Sequence, residues 1–211
     1  MIKVELVDHM GDDLRVANVA RVSFDNWKET WDNKDERLVN YLAKHEHTSP
    51  FRHTAITVRC TAPIYIARQL GKHQVGMSWN EVSRRYVDSD FTFHLPDSIR
   101  SRPDDSIKQG SAGEHPKNDF WLINMSIHHD NCLRMYDRMV ADGVAPEQAR
   151  AILPQSMDTT WVWTGSLMAF WHMCRLRLDG HAQVEAQQFA QQMEEIVEPL
   201  FPVSWKSFKE L

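Results

Sequence analysis

The sequence predicts a helix-rich α+β fold: a single domain over residues 1–211 with a small antiparallel sheet. Three observations predict it. Apolar side chains recur at helical spacing through much of the chain. Ile2–Val7 and Thr54–Cys60 alternate or gather small and β-branched residues as strands do. No repeat or linker divides the 211 residues, a length that at about 100–200 residues per domain suits one large core.

The elements follow in order. Ile2, Val4 and Leu6 alternate with Lys3, Glu5 and Val7, a strand ending near Asp8. Gly11, Asp12 and Asp13 make a turn and a helix start, and Leu14, Val16, Val19, Ala20 and Val22 continue at helical spacing. A second helix is expected from Asp35 to Lys44, with Leu38, Tyr41 and Leu42 on one face, before the loop His45–Pro50. Thr54–Cys60 is the clearest strand, and Pro63 opens a helix carrying Ile64, Ile66, Ala67 and Leu70. Phe91–Leu95 reads as another short strand, stopped by Pro96. Asp97–Pro116 reads as a long polar loop, of the kind that serves as a lid or binding segment. A long helix is expected over Lys117–Asp142, where Trp121, Leu122, Met125, Cys132, Met135, Tyr136 and Met139 form one stripe and Gly143 ends it. Pro146 opens a short helix to Leu153, and another helix covers roughly Thr160–Leu178. The last carries Ala182, Ala186, Phe189, Met193, Ile196 and Leu200 as a packing seam.

Apolar residues at 42% and charged residues at 25%, with 8 Gly and 9 Pro, exclude a disordered or collagen-like chain. The longest stretch without a charge, Thr159–Cys174, is interrupted by Thr, Gly, Ser and His and is no membrane span. Met1–Met10 carries Glu5 and Asp8 instead of a basic-then-apolar signal layout, so the protein is expected to start at Met1 and stay in the cytoplasm. Cys60, Cys132 and Cys174 fit neither a disulfide framework nor a zinc ribbon. The net charge of −5 lacks the footprint of a nucleic-acid binder. The charge is uneven, however: Arg59, Arg68, Lys72, Arg84 and Arg85 lie in one window with the single acid Glu81, which suits a small anionic partner.

That window, Gln69 to Tyr86, leaves a helix end, crosses a glycine-containing loop and gathers acid, hydroxyl and guanidinium groups. Ser83 and Arg85 supply the donors a phosphate monoester needs, and Asn80 and Glu81 suit the polar edge of a base. A solvated loop with clustered surface charge is the plain alternative. A second group comprises Arg150, Ser166, His172, Arg175 and Arg177. On one helix Ser166 and Arg177 fall near the same face, and Arg177 on an apolar segment suggests a buried anion partner. By spacing, a core histidine is the favoured reading of His172 over a site residue, and an ordinary surface ion pair is the plain alternative for Arg150. His45-Glu46-His47 and His128-His129 lack metal-ligand spacing and read as polar surface, so no metal site is expected. The cysteines read as buried filler, Cys174 keeping a small role as a candidate nucleophile through its nearness to Arg177. There is no dinucleotide-binding glycine fingerprint.

Taken in order, Ala20-Arg21-Val22-Ser23, Ser49-Pro50-Phe51-Arg52-His53, Ala67-Arg68-Gln69, Ser78 to Tyr86, Ala149 to Pro154, Leu176-Arg177 and His181-Ala182-Gln183 resemble the flavin-dependent thymidylate synthase family over most of the chain. The family's Arg-His-Arg and Ser-x-Arg signature corresponds to Lys72-His73-Gln74 and Ser83-Arg84-Arg85, with eight residues between them, one more than the family spacing. Ser166 and Met168 stand where the family commonly has Asn and Arg, and Arg52 where it commonly has Glu.

The resemblance implies a homotetramer whose sites, each built from more than one subunit, hold FAD. The implied reaction moves a methylene group from methylenetetrahydrofolate to C5 of dUMP and reduces it to methyl, with NADPH as the usual reductant. It assigns the nucleotide to Gln69, Glu81, Ser83, Arg84 (through its backbone), Arg85, Arg150 and Arg177, with Ser83, Arg150 and Arg177 nearest the chemistry. It assigns the flavin to Ser23, Ser49, Lys72, His73, Gln74, Glu81 and His172. Rival readings are methylation or hydroxymethylation of another pyrimidine nucleotide such as dCMP, and a non-catalytic nucleotide-binding relative.

Overall fold

The computed structural model describes residues 1–104 and 110–211. Strand β1 (Lys3–Met10) leads into α1 (Asp13–Arg21), whose first turn is capped by the Asp12 carboxylate accepting from the Arg15 N–H at 2.8 Å. Helix α2 (Asn33–Lys44) begins in a reciprocal capping box between Asp32 and Asp35. Fully buried Asp35 also pairs with Arg21 and Lys28, tying α1 to α2.

Strand β2 (Ala55–Pro63) turns directly into α3 (Ile64–Leu70) at Pro63. Gly76, at φ +72°, then lets the chain reverse into β3 (Met77–Glu81). After the polar segment come α4 (Asn118–Ala141), α5 (Pro146–Ala149), β4 (Asp158–Gly165), α6 (Leu167–Arg177), α7 (Val184–Leu200) and α8 (Pro202–Lys209).

The sheet is antiparallel throughout, in the order β1-β2-β4-β3. Its inner face carries Ile56, Val58, Cys60 and Ala62 of β2 with Trp161 and Trp163 of β4, all buried against α6 and α7. Its outer face is polar, with Thr57 bonded to Thr164 and Thr61 to Thr160, each at 3.0 Å, and Arg59 beside Glu5. This two-faced alternation is what period-2 side-chain direction demands of a half-covered sheet.

Four expectations need correction. Thr160–Leu178 is not one helix: Asp158–Gly165 is a strand held between β2 and β3, and Ser166 caps the helix that follows by accepting from the Ala169 N–H at 3.2 Å. Phe91–Leu95 makes only an isolated bridge, Phe93 to Met157, flanked by the His94 N–H on the Ser156 carbonyl and the Asp158 N–H on the Thr92 carbonyl, each at 2.8 Å. Met77–Glu81, for which a solvated loop was the plain alternative, is the strand on β4's other edge. The stripe on α4 is largely uncovered, with Trp121 46% and Met135 57% exposed while Tyr136 is 1% exposed. Helix α8, beginning at Pro202, was not anticipated. Residues 105–109 of the expected polar loop lie outside the described residues; among the others, Arg100 bridges to Glu114.

Candidate active site

Two connections place the charged groups: β2 into α3, and α3 through the turn 71–76 into β3. Together they enclose a first cavity of about 850 Å³, lined by Gln69, Lys72, His73, Gln74, Trp79 and Glu81 among others. Its wall is aromatic: Trp79 stacks on Trp161 at 4.3 Å and meets Trp163 edge-on. Glu81 is fixed at both oxygens, accepting from the Thr159 hydroxyl at 2.6 Å and from the Trp79 indole N–H at 3.3 Å. Tyr65 also lines the cavity, and burial pushes its phenol up, so it remains a neutral donor.

Gln69 sits where this cavity meets a second, of about 500 Å³, lined also by Arg100, Arg177, His181 and Gln183. Its amide nitrogen donates to Gln183 Oε1 at 3.5 Å, while its own Oε1 is buried with no partner among the described residues. A buried polar atom without a partner at a cavity wall is a position for a ligand's donor.

Arg177 closes α6, half-buried, and its Nε donates to Nε2 of His73 at 3.2 Å. His73 must be unprotonated at Nε2 to accept. Burial first, then the charges of Arg177 and His172, hold its pKa below the ordinary histidine value, consistent with a neutral ring. Burial also lowers Arg177, whose guanidinium stays charged at any working pH. The structure thus joins two residues that lie 104 positions apart in sequence.

Val75 and Gly76 of the turn 71–76 are also one wall of a third cavity, of about 400 Å³, lined by Arg52, Ser78, Ser166, Met168 and His172 among others. His172 is exposed to this cavity and is not a core histidine, because it faces away from the packed side of α6. Burial, Arg175 and Arg52 lower its pKa.

Other expected site residues lie outside these cavities. Ser83 accepts from the Arg85 N–H and Nε at 3.3 and 3.2 Å. Arg84 donates to the Ser89 carbonyl at 3.0 Å and lies over the Phe91 ring, which folds the turn after β3. Arg150 is exposed, its Nε on the Glu147 carbonyl at 3.3 Å, and Ser23 and Ser49 are exposed in turns. Within one chain, then, Gln69, Lys72, His73, Gln74, Glu81 and Arg177 converge, and Ser23, Ser49, Ser83, Arg84, Arg85 and Arg150 do not. Residue-type reasoning missed Trp79, Tyr65 and Thr159 as site-building groups; Trp79 lay inside the basic window and was the one with a signal.

His129 also departs from expectation. It is buried, bonded to the Ser156 hydroxyl at 2.7 Å and stacked on Phe93, because the chain before β4 packs onto α4 there. Among the described residues no group of His, Cys, Asp and Glu is arranged to hold a metal ion, and no helix is long and apolar enough to cross a membrane. Cys60 and Cys174 are in the core with burial pushing both thiols up, and Cys132 lies on α4 beside His128, so no thiol faces the cavities.

The donor set fits a flavin dinucleotide and a nucleotide. An aromatic-walled cavity with an unpartnered amide oxygen suits planar heterocycles, and cations at Lys72, Arg177 and Arg52 suit phosphate and ring oxygens. Comparison with known proteins points the same way. Residues 5–203 match the family described as "Thymidylate synthase complementing protein". The chain is 35% identical to the flavin-dependent thymidylate synthase of Thermosipho africanus over 97% of its own length and 90% of the relative's. It is 34% identical to that of Thermus thermophilus, over 98% of this chain and 75% of that one. Among solved structures, the UMP/dUMP methylase PolB of Streptomyces cacaoi bound with 5-Br dUMP superposes with a TM-score of 0.91 at 30% identity, covering 100% of this chain and 96% of PolB. With its residues matched nearly from end to end and its helix-rich α+β fold shared, the chain belongs to the flavin-dependent thymidylate synthase family.

Proposed function

We propose that the protein, acting as one domain over residues 1–211, methylates dUMP at C5 to give dTMP, with methylenetetrahydrofolate as carbon donor and FAD as cofactor. The observation that carries this reading is the Arg177–His73 bond. It sets a permanent cation at the junction between the cavity of Gln69 and the turn Lys72-His73-Gln74.

C5 of uracil attacks a carbon electrophile only as negative charge accumulates on the ring oxygens. A fixed guanidinium in a partly desolvated site stabilises that charge, which is the role of Arg177. Gln69, with its free acceptor oxygen, reads a donor on the nucleotide. Glu81, fixed by Thr159 and Trp79, does the same without changing position. The wall formed by Trp79 and Trp163 excludes water from one side. With no thiol facing the cavities, the chain activates the ring through its cations rather than a cysteine. When bound, FAD supplies the hydride that turns the transferred methylene into methyl, NADPH being the usual reductant.

The protein is read as a cytoplasmic homotetramer, with neither nucleic acid nor membrane as partner. Two features support the assembly: Arg150 and Ser23 line none of the three cavities of their own chain, and the apolar side of α4 is uncovered. Sites built between subunits would bring Arg150 of one chain to the cavity of another. Mixing inactive Arg150→Ala and Arg177→Ala subunits is expected to restore part of the activity, and no restoration would refute shared sites.

The test of the main reading is the visible spectrum of the purified protein with added FAD and then dUMP, followed by tritium release from C5-labelled nucleotides. Flavin bands that shift on dUMP, and release from labelled dUMP, are expected. Release from dCMP alone, or a protein that ignores FAD, would overturn the reading. The likeness to PolB, named a UMP/dUMP methylase, supports a second reading in which UMP is also accepted; labelled UMP in the same assay decides it.

A further inference from the structure

Three residues in which this sequence departs from its family, Arg52, Ser166 and Met168, line one cavity, the third, although position 52 lies far from the other two in the chain. Where the family commonly carries Arg at the end of its Asn-x-Arg run, this chain has uncharged Met168. Where the family commonly carries Glu, this chain has Arg52. Among the described residues lining the third cavity, Arg52 alone has a permanent positive charge.

The surroundings leave that charge available. Arg52 ends a 3-10 turn, Pro50–Arg52, anchored by fully buried Phe51 packed on Phe208 at 4.8 Å, so its backbone is fixed while its side chain reaches solvent. Among the described residues it has no carboxylate partner; its side chain donates to the neutral Thr48 hydroxyl at 3.0 Å. The first turn of α6, the other source of donors there, is partly spent: the Leu167 N–H donates to the Thr54 hydroxyl at 3.0 Å and the Ala169 N–H to the Ser166 hydroxyl at 3.2 Å. An anion entering this cavity therefore meets one guanidinium, with the Ser78 hydroxyl and His172 beside it.

We propose that Arg52 holds the diphosphate of the bound flavin dinucleotide in the third cavity, a charge relocated from position 168 on α6 to the turn facing it. The assignment rests on the flavin-dependent function above. It predicts that the charge, and not its place in the sequence, is what the cofactor requires.

The test is a flavin-fluorescence titration of wild-type protein, Arg52→Ala, Arg52→Lys, Arg52→Glu, and the double variant Arg52→Glu/Met168→Arg, each with FAD and with riboflavin, which lacks phosphate. Arg52→Ala should weaken FAD at least tenfold, Arg52→Lys less and Arg52→Glu more. Riboflavin binding should be unchanged, and the double variant should regain FAD affinity toward that of the wild type. Equal FAD affinity in wild type and Arg52→Ala overturns the assignment while leaving the function intact, as does equal loss of FAD and riboflavin. A wild-type protein that takes up no FAD overturns the function and the assignment together. The thermal midpoint of the three single variants at exposed position 52, expected to stay that of the wild type, separates lost binding from lost fold.

Discussion

Helices α4 and α6 are both rich in large apolar residues, and the structure treats them in opposite ways. Helix α6 buries Leu167, Met168, Ala169, Phe170, Trp171, Met173 and Cys174, because the sheet, α7 and the Pro50–Arg52 turn all pack around it. Helix α4 is more than twice as long, yet among its residues only His129 and Tyr136 are buried, and Phe120, Trp121, Ile123, Ile127 and Met135 face outward. The difference shows where rigidity is used. Arg177 leaves the end of the packed helix, so its position is set by the core, while α4 leaves a row of large apolar side chains exposed among the described residues.

Four experiments can break or sharpen that contrast. The largest effect is expected under α6: Trp163→Ala empties a site between Phe170 and Phe189, and should cost about 3–5 kcal/mol in denaturant unfolding. A cost near that of a surface change would mean that the inner face of the sheet is not the core. Next, Arg177→Ala should lower dUMP affinity by about 2–5 kcal/mol, the range for removing one partner of a desolvated charge contact, with FAD still bound. Unchanged dUMP affinity in a titration would refute its role.

A smaller effect concerns His73. Its folded pKa is depressed, so the neutral form is favoured in the folded protein. The Arg177 bond contributes fully above the ordinary histidine value and is lost as pH falls through the depressed one. One such bond is worth about 1 kcal/mol. The dUMP affinity should therefore fall on acidification below the ordinary histidine range, and His73→Gln, which keeps an acceptor without titrating there, should flatten that limb. A limb that persists in the variant places the titration elsewhere. The smallest change in subunit stability is expected on α4: Trp121→Ser should shift unfolding by no more than about 0.5 kcal/mol. Its effect should be visible by sedimentation as a weakened assembly, and a fully stable assembly would show that α4 is not an interface.

Much of the site was legible along the chain. Gln69, Lys72, His73, Gln74 and Glu81 lie within one short window, and local sequence suffices to bring neighbours together. Arg177 was legible as a cation ending an apolar run. Ser83 and Arg85 carried an equally good residue-type signal and Arg84 and Arg150 were implied by the resemblance, and yet one chain does not bring them into the cavities. Trp79 and Thr159 gave little signal because their contribution is to hold Glu81, a second-order effect of β3 and β4 lying side by side.

The sequence by itself determined the helix-rich α+β class, the helix start at Asp12, the strand at Thr54–Cys60, the turn into α3 at Pro63 and the clustering of cations on either side of β3. All of these depend on residues a few positions apart. Tertiary structure alone decided that Asp158–Gly165 is a strand, that α6 is buried while α4 is not, and that His73 meets Arg177. A central strand and a buried helix are both apolar on every inward position, so their periodicities do not separate them. What separates them is which neighbour supplies the backbone hydrogen bonds, and for β4 those neighbours, β2 and β3, are remote in the chain, as the pairs Cys60–Trp161 and Glu81–Trp161 show.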